Sequence, residues 1–372
     1  NISSKFVENN NAIVVITTAR DNILHNYGYK IIRISPWYLR FFRVPSIGKY
    51  LLWYKIYLLH KKHRFDIWQI TMGYPFGAYL IPFFKKKKIP CVLRCCGEDI
   101  QIYKELSYGY RISPEVDRIV RNSYPLFDGF IALTESVKEE YNNLGIPDER
   151  IRVIPNGVNL NRFSRKKNKD DIKHKLGFYG KKVLLTVGRN HAKKGYDLIP
   201  RILNIICQKH TDVVWIIIGD GCDQNTFPNL SYNLRNNLVL ISGIKGRSDA
   251  SVDELPSEEL IEYYHSADIF VFPSYIESFG MVLIEANAAG LPVITSDVPG
   301  CRDVIKNGFN GLLSEAGNME MFAENILSIL NNKSLNDQIC NNLPNHVLKF
   351  DWGVIASQYR EMYSKIISEY DC

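Results

Sequence analysis

Residues 266–294, SADIFVFPSYIESFGMVLIEANAAGLPVI, decide the fold class of this chain. The β-branched and aromatic run at 268–274 predicts a buried strand, residues 280–290 predict a helix, and 292–297 predict a second strand. A strand, a helix and a strand in this order place the two strands parallel in one sheet, with the helix on its face. The stretch therefore predicts an α/β protein.

The same alternation runs through the rest of the chain. Further strands are predicted at 12–18, 29–34, 65–70, 90–95, 127–133, 151–155, 182–188, 212–221 and 238–243. Helices are predicted at 48–62, 113–124, 196–210 and 257–267. The polar stretch NLNRFSRKKNKDD (159–171) interrupts the series, so we expect two Rossmann-like domains, 1–158 and 179–350, joined by a linker at 159–178. Open parallel sheets bind ligands beyond the carboxyl ends of their strands, which predicts a site in the cleft between the domains.

The composition excludes several classes of protein. The 372 residues are 46% hydrophobic and 23% charged, which is ordinary for a globular chain and not for a disordered or collagen-like one. No apolar run approaches the roughly 18 residues that a membrane span needs, and the start NISSKFVENNN lacks the order of a signal peptide. The eight cysteines include no CxxC pair, so we expect reduced thiols, no metal site and a cytoplasmic protein.

The first quarter of the chain is strongly basic. Between Asn22 and Gly97, 14 Lys and Arg residues accompany a single acid, Asp66, although the whole chain carries only +7. Residues 36–64 combine this charge with many aromatic side chains, and four lysines follow at 85–88. The pattern predicts contact with an anionic membrane surface at the inner face of the cell membrane. An amphipathic helix docked on its own domain explains it equally well, and no recognition motif supports nucleic acid as a partner.

The predicted loop and helix start after the strand at 268–274 form a candidate anion site. The backbone N–H groups without intrahelical partners would be those of Ser278, Phe279, Gly280 and Met281. Gly280 has no Cβ, so a phosphate or sugar can approach the backbone closely. Glu277 lies at the helix mouth and Glu285 lies further along the helix, where the two carboxylates can accept hydrogen bonds from vicinal hydroxyls. Taken singly, Glu277 is explained as a capping acid and Glu285 as a surface glutamate.

A second candidate cluster lies in LLTVGRNHAKKGYDLI, residues 184–199. The predicted strand delivers Gly188 and Arg189 to its carboxyl end, and Lys193 or Lys194 follows in the loop. Both residue types stay charged at pH 7, and Arg can bind in a bidentate manner, so they suit a diphosphate leaving group. A solvated basic loop is the alternative.

Together these stretches resemble the retaining, nucleotide-sugar-dependent glycosyltransferases of the GT-B fold, in particular family 4 (glycosyl transferases group 1). The matching motifs are IPNGVN, VGRNHAKKG, IGDG, SADIFVFPSYIESFGMVLIEANAAGLPVI and NGFNGLL. They cover residues 151–315 almost continuously, and the spacing of two glutamates with seven residues between them is specific. The N-terminal third matches through FDIWQ, IPCVLRCCGEDIQ and FDGFIALTESVKEEY. The resemblance implies two domains facing a cleft, with a C-terminal helix at 351–372 packed on the first domain.

The resemblance also implies roles for the matching residues. Arg189 and Lys194 would hold the donor diphosphate and stabilise its charge as it leaves. Glu277 would hold the transferred sugar, Glu285 would bind the ribose, and Ile244 would lie at the base. The donor-binding set implied in this way is Gly188, Ile244, Ser278, Phe279, Gly280, Met281 and Glu285.

Two features depart from the family pattern. Family members commonly carry His before the glycine of a first-domain motif, whereas this chain has Cys96 and Gly97. Asp99, or Glu98, would supply a catalytic polar contact instead, and a plain loop before a helix is the alternative. The chain starts at Asn1, and the family's opening strand is not visible before residues 12–18, so we expect the first domain to lack its N-terminal strand.

The resemblance implies a hexosyltransferase. It would move a sugar from a nucleotide-sugar donor to a glycan or lipid-linked saccharide with retention of anomeric configuration, in the synthesis of a cell-surface polysaccharide such as lipopolysaccharide or capsule. It implies no cofactor and no metal, because the Asp-x-Asp motif of the other main fold is absent and Arg and Lys can take the metal's part. A phosphorylase or epimerase on the same fold, and a non-catalytic nucleotide-sugar-binding remnant, are the alternatives.

Overall fold

The computed structural model describes residues 2–8, 12–17, 29–34, 45–164, 168–244 and 256–371. The chain divides into two compact α/β units. The first comprises residues 1–155 together with 352–372, and the second comprises 156–351.

The first unit is built on parallel strands. They are β1 (Val14–Thr17), β2 (Lys30–Arg33), β3 (Trp68–Thr71), β4 (Cys91–Arg94), β5 (Gly129–Ala132) and β6 (Ile151–Val153). β1 pairs with β2, and the other four form one sheet in the order β3-β4-β5-β6. β5 is buried along its whole length, as expected for a parallel strand covered on both faces.

Helices accompany these strands in the described part of the first unit. They are α1 (Ile2–Glu8), α2 (Pro45–His63), α3 (Ala78–Lys87), α4 (Pro114–Ser123) and α5 (Glu135–Asn142). The starts of α4 and α5 follow local sequence rules: Pro114 occupies the first turn of α4, and the Thr134 hydroxyl accepts a hydrogen bond from the Val137 N–H of α5. α2 packs into the core through Leu52, Ile56 and Leu59, which are spaced at helical period.

The second unit contains one six-stranded parallel sheet. Its strands are β7 (Lys182–Val187), β8 (Val213–Ile218), β9 (Leu238–Ile241), β10 (Ile269–Phe272), β11 (Val293–Ser296) and β12 (Gly311–Ser314). Their order is β12-β11-β10-β7-β8-β9, so β7 and β10 are central neighbours. β8 and β10 are buried at every position, which explains their unbroken apolar sequences.

Helices cover this sheet. They are α6 (Leu160–Phe163), α7 (Lys169–Lys175), α8 (Ile199–Cys207), α9 (Glu258–Ser266), α10 (Met281–Ala288), α11 (Cys301–Val304), α12 (Met319–Asn331) and α13 (Lys333–Val347). Side-chain caps at Ser257, Asn318 and Asn332 begin α9, α12 and α13.

Shorter 3₁₀ helices occur in both units. They span Lys104–Leu106, Tyr110–Ile112, Tyr124–Leu126, Asp148–Arg150, Ala192–Lys194, Tyr196–Leu198, Tyr232–Asn237 and Leu348–Phe350.

The last helix, α14 (Trp352–Asp371), belongs to the first unit. It packs against β4 and β5 through a buried cluster made of Val92, Ile131, Ile355, Tyr359, Met362 and Ile366. A Cβ at Gly129 would lie 2.6 Å from the end of the Ile366 side chain and 2.7 Å from that of Met362, so the helix packs closely on the sheet at this glycine. The Tyr370 hydroxyl donates to Asp128, which also accepts the Cys91 N–H at 2.8 Å.

The structure confirms eleven predicted strands and adds one that the sequence did not predict. The additional strand is β12, a four-residue edge strand that follows the turn-rich sequence NGFN. The predicted linker at 159–178 is wrong for its described part: it contains α6 and α7, whose Phe163 and Ile172 are buried in the second unit. Most of the described charged residues of the stretch 159–178 lie on exposed helix faces, and their number obscures the helical spacing of its few apolar residues in the sequence. Among the described residues, no helix is both long and apolar enough to cross a membrane.

Candidate active site

The candidate site lies at the carboxyl edge of the six-stranded sheet in the second unit. Because all strands of this sheet are parallel, the residues that follow β7, β8, β9 and β10 meet at this edge. They include Gly188 and Arg189 after β7, Ile244 after β9, and Glu277 after β10. The two central strands thus carry the charged side chains, and the residues after β9 lie at the edge of the sheet.

An ion pair between Lys194 and Glu277 joins the loops after β7 and β10. The Lys194 Nζ donates to Glu277 Oε1, and the two side chains retain only 16% and 9% of their exposure. The same ammonium lies 4.7 Å from the centre of the Phe272 ring, a cation–π contact at the end of β10. Two of the predicted residues are therefore brought together in a partly dry position, where the charges of a ligand would be strongly felt.

The backbone of the β7 loop determines which of the two lysines reaches this position. The Lys193 carbonyl accepts hydrogen bonds from the Tyr275 N–H and from the Ser274 hydroxyl, both at 2.8 Å. Gly195 has a φ of 66°, and a Cβ there would lie 1.9 Å from the Pro273 carbonyl oxygen. These contacts hold the Ala192–Lys194 turn against the β10 loop and direct Lys194 to Glu277. Of the two lysines that the sequence left open, Lys194 is therefore the one that contacts Glu277.

The amino end of α10 completes the candidate anion site. Gly280 precedes the helix with a left-handed φ of 72°, and no side chain caps the helix. In the first turn, the Leu283 N–H donates to the Gly280 carbonyl at 2.9 Å, whereas the N–H groups of Met281 and Val282 come before the regular helical hydrogen bonds and lie at the positive end of the helix dipole. The preceding loop is packed closely, since a Cβ at Gly300 would lie 2.3 Å from the Glu277 carbonyl oxygen. Ser278 and Phe279 belong to this fixed loop, and Phe279 is buried against Phe350.

Glu285 lies on α10 beside a residue that the sequence did not single out. The Tyr264 hydroxyl of α9 donates to Glu285 Oε2 at 2.8 Å. Tyr264 is fully buried and packs against the rings of Phe163 and Phe270, so its hydroxyl is held in place. Burial raises the pKa of the Glu285 carboxyl to about 7, and the Tyr264 hydrogen bond partly opposes that rise. Tyr264 thus orients the carboxylate predicted to bind hydroxyl groups.

The raised pKa predicts a pH-dependent effect of Glu285→Gln on stability. A carboxyl with a raised pKa favours the folded state at low pH, and this contribution is lost as pH rises through about 7. The melting temperature of Glu285→Gln, relative to wild type, should therefore increase by a few degrees between acidic and mildly alkaline pH. Tyr264→Phe removes the hydrogen bond to the carboxylate and should move the midpoint of the wild-type profile to higher pH. A constant difference across the pH range would contradict this assignment.

Gly188 and Gly219 form the floor between β7 and β8. A Cβ at Gly219 would lie 1.7 Å from the Gly188 carbonyl oxygen, which also accepts the Tyr196 hydroxyl at 2.6 Å. A Cβ at Gly188 itself would meet no atom closer than 3.4 Å. A side chain at position 219 would therefore collide with the backbone of the neighbouring strand, whereas a methyl group at position 188 has room.

This difference predicts a large loss of stability for one alanine variant and almost none for the other. Gly219→Ala should destabilise the protein by about 3 kcal/mol, because its new methyl group displaces the backbone of β7. Gly188→Ala should change stability by less than about 0.5 kcal/mol. Chemical denaturation of both variants measures the contrast, and equal stability of the two would contradict the packing described above.

Arg189 and Ile244 take positions at the ends of β7 and β9. Arg189 is exposed, and its guanidinium has no ion-pair partner among the residues that the structure describes. Ile244 is partly buried and follows Gly243, where a Cβ would lie 2.3 Å from an Asp220 carboxylate oxygen. Arg189 therefore remains free to meet a ligand at the same edge as Lys194.

Two family models match this chain. Glycosyltransferase Family 4 matches residues 1–162, and Glycosyl transferases group 1 matches residues 168–346. Both models describe glycosyltransferases, and together they match most of the chain. The second model covers the strands and loops that carry the ion pair, the α10 amino end and Glu285.

Named relatives of this chain include bacterial glycosyltransferases. The chain is 29% identical over 248 residues, 64% of its length, to a capsular polysaccharide biosynthesis glycosyltransferase, CapM, of Staphylococcus aureus. It is 26% identical over 257 residues, 68% of its length, to the N,N'-diacetylbacillosaminyl-diphospho-undecaprenol alpha-1,3-N-acetylgalactosaminyltransferase of Campylobacter jejuni. The matched parts span 62% and 64% of these relatives, which is less than two thirds of their length.

A comparison with solved structures shows the fold of this chain. The structure of Anabaena Alr3699/HepE in complex with UDP matches with a TM-score of 0.78 at 18% identity, covering 98% of this chain and 95% of that one. The two Rossmann-like units are those of a GT-B glycosyltransferase.

Asp99 does not have the position that the sequence suggested. Its side chain is fully buried in the first unit, and its two carboxylate oxygens accept the N–H groups of Gly73, Cys96 and Gly97 at 2.7–3.0 Å. The carboxylate therefore holds the loop after β4 in shape, and the prediction of a catalytic contact from Asp99 is wrong for this arrangement. The Arg94 guanidinium donates to the Cys96 thiol at 3.2 Å.

Sequence reasoning missed Tyr264, Phe272 and Ser274 at the site. Tyr264 occupies an apolar position of an amphipathic helix, and Phe272 ends an apolar strand, so both patterns indicated only core packing. Among the residues that the structure describes, no group of three or more His, Cys, Asp or Glu side chains is placed to hold a metal ion.

Proposed function

We propose that this chain transfers a hexose from a nucleoside-diphosphate sugar to a saccharide or lipid-linked saccharide acceptor, with retention of anomeric configuration. One observation carries the proposal. Lys194 is held against Glu277 beside the uncapped amino end of α10, so cationic, carboxylate and amide groups converge at one edge of the sheet. A sugar diphosphate offers the anionic and hydroxyl groups that this combination binds.

The donor would lie across the carboxyl edge of the second unit. Lys194, Arg189 and the α10 amides bind the diphosphate, and Glu277 accepts hydrogen bonds from the sugar hydroxyls. Glu285, oriented by Tyr264, accepts the ribose hydroxyls. The base lies toward Ile244 and Gly188. The UDP bound to the Anabaena structure makes UDP-sugars the first donors to test.

The reaction is one substitution at the anomeric carbon. The bond from that carbon to the leaving diphosphate oxygen breaks, and a bond to the acceptor hydroxyl oxygen forms on the same face. The acceptor proton passes to the departing phosphate, so no protein carboxylate acts as nucleophile. Lys194 and Arg189 stabilise the charge that develops on the diphosphate, which is the contribution that a divalent metal makes in other enzymes.

The acceptor is a precursor of a cell-surface glycan. Two relatives support this class: one is named for capsular polysaccharide biosynthesis, and the other is named for transfer to a diphospho-undecaprenol saccharide. We therefore propose a biosynthetic role on the cytoplasmic side of the membrane, in the assembly of capsule or a related polysaccharide.

A donor screen tests the proposal. The full chain is incubated with UDP-, GDP- and TDP-sugars, with and without lipid-linked saccharide acceptors and with EDTA present, and nucleotide release is measured. Release that needs both a donor and an acceptor, and that persists in EDTA, is the expected result. Release that needs inorganic phosphate instead would indicate a phosphorylase, and binding of all donors without any release would indicate a non-catalytic protein. The anomeric proton coupling in the product reports retention.

A further inference from the structure

The outer face of α2 carries a stripe of exposed apolar side chains. The outer stripe comprises Tyr50, Leu51, Tyr54, Tyr57 and Leu58, with exposed fractions of 64%, 36%, 64%, 37% and 43%. The opposite face of the helix is already packed in the core of the first unit through Leu52, Ile56 and Leu59. α2 is therefore apolar on both sides, and its outer side stays partly exposed although the Tyr57 ring contacts Lys87 and the Tyr50 ring contacts Trp53 of the same helix.

The helix is fixed in this orientation by polar and aromatic contacts on its inner side. The Trp53 indole N–H donates to the Tyr79 carbonyl of α3 at 2.7 Å, and the Trp53 ring packs against Phe83. The Trp68 indole donates to His60 near the end of α2. Turning the outer stripe inward would break these contacts, so its exposure is a stable property of the unit. Exposed apolar stripes of this kind mark interaction surfaces.

Lysines surround the outer stripe. Lys61 and Lys62 are exposed at the end of α2, and the exposed Lys86, Lys87 and Lys88 lie at the end of α3. The Lys87 ammonium lies 5.3 Å from the centre of the Tyr57 ring, which joins the two helices into one surface. Neither helix contains an Asp or Glu. Lys85 is the lysine of the group that pairs with an acid, Asp128.

We propose that this surface docks on a lipid bilayer that contains anionic lipid, with α2 lying in the headgroup layer. Interfacial tyrosines and leucines insert into that layer, and the surrounding lysines attract anionic headgroups. Charge decides between this partner and a second copy of the chain, because two copies of the same lysine-rich surface would repel each other. Of the predicted membrane region, residues 36–44 lie outside the described residues, and the proposal rests on 49–62 and 85–88.

Vesicle co-sedimentation tests the wild-type chain. Vesicles of phosphatidylcholine alone are compared with vesicles that also contain phosphatidylglycerol, each at low and at high salt. We expect sedimentation with the mixed vesicles at low salt, and its loss at high salt. Equal binding to both vesicle types, or no binding to either, overturns the proposal. Vesicle binding needs no donor, so this result is independent of the transferase proposal.

Two variants test the surface itself. Tyr50→Ser combined with Tyr54→Ser removes the two most exposed rings of the outer stripe, and Lys86→Glu combined with Lys87→Glu inverts two charges. Each pair should weaken vesicle binding by about tenfold or more. The control pair, Tyr179→Ser with Tyr232→Ser, removes rings that are 67% and 85% exposed in the second unit and should leave binding unchanged.

The oligomeric state of each variant, measured by light scattering, completes the test. A wild-type dimer that the Tyr50 and Tyr54 variant converts to a monomer, without a loss of vesicle binding, would assign the surface to self-association and overturn the proposal. Thermal unfolding checks that the variants fold. Nucleotide release with a water-soluble acceptor should stay at the wild-type rate, because none of the four substituted residues lies at the donor site.

Discussion

Lys194→Ala should slow sugar transfer by about 10²–10³-fold, because it removes the cation that faces the leaving diphosphate. The ammonium is partly buried, is paired with Glu277 and lies 4.7 Å from the Phe272 ring centre, so water screens it poorly. Most of the loss should appear in kcat, since charge on the leaving group grows in the transition state. Nucleotide release with the donor and acceptor identified by the screen measures the effect.

Lys193→Ala is the matched control for this prediction. The contacts that Lys193 makes with Tyr275 and Ser274 use its carbonyl oxygen, which alanine retains. This variant should therefore transfer sugar at a rate within a few-fold of wild type. A wild-type rate for Lys194→Ala, or equal losses for the two lysines, would remove Lys194 from the proposed role. Thermal unfolding separates a loss of activity from a loss of fold.

Glu277→Gln should reduce transfer by about 10²-fold or more. Glutamine keeps the shape of the side chain but removes the negative charge that orients Lys194 and accepts the sugar hydroxyls. The effect should be much smaller in Lys194→Ala than in wild type, because the two residues act through one ion pair. Single and double variants in the same nucleotide-release assay measure this coupling.

Glu320→Gln provides the control for a lost ion pair. Glu320 pairs with Arg201 at 2.6 Å on an exposed helix surface of the same unit. Its replacement should leave transfer unchanged, since exposed pairs contribute little energy. Additive effects of Lys194→Ala and Glu277→Gln would contradict the shared site.

The sequence predicted five of the six strands of the second unit, because each of the five is a short apolar run that ends at a glycine, proline or serine; β12 was missed. It also predicted the α10 segment, since Gly280 and the helical spacing after it mark a helix start. The choice between Lys193 and Lys194 depends on a 3₁₀ turn and on carbonyl contacts to the β10 loop, which leave no periodic pattern in the sequence.

Asp99 shows why a resemblance does not fix the role of a polar residue. Its sequence context is that of a loop after a strand, where both catalytic and structural acids occur. The three backbone N–H groups that donate to its carboxylate come from two separate segments, and only the folded chain brings Gly73 close to Cys96 and Gly97. Tyr264 is the converse case, an apparent core residue whose hydroxyl reaches the site.

The membership of α14 in the first unit constrains how the protein is made. During translation, residues 156–351 leave the ribosome between the sheet of the first unit and the helix that covers Val92 and Ile131. The nascent first unit thus has an uncovered sheet face while the whole second unit is synthesised. A ribosome-stalling series, with a spacer long enough to bring Tyr370 out of the exit tunnel, should show that protease resistance of the first unit arises only after that residue has emerged.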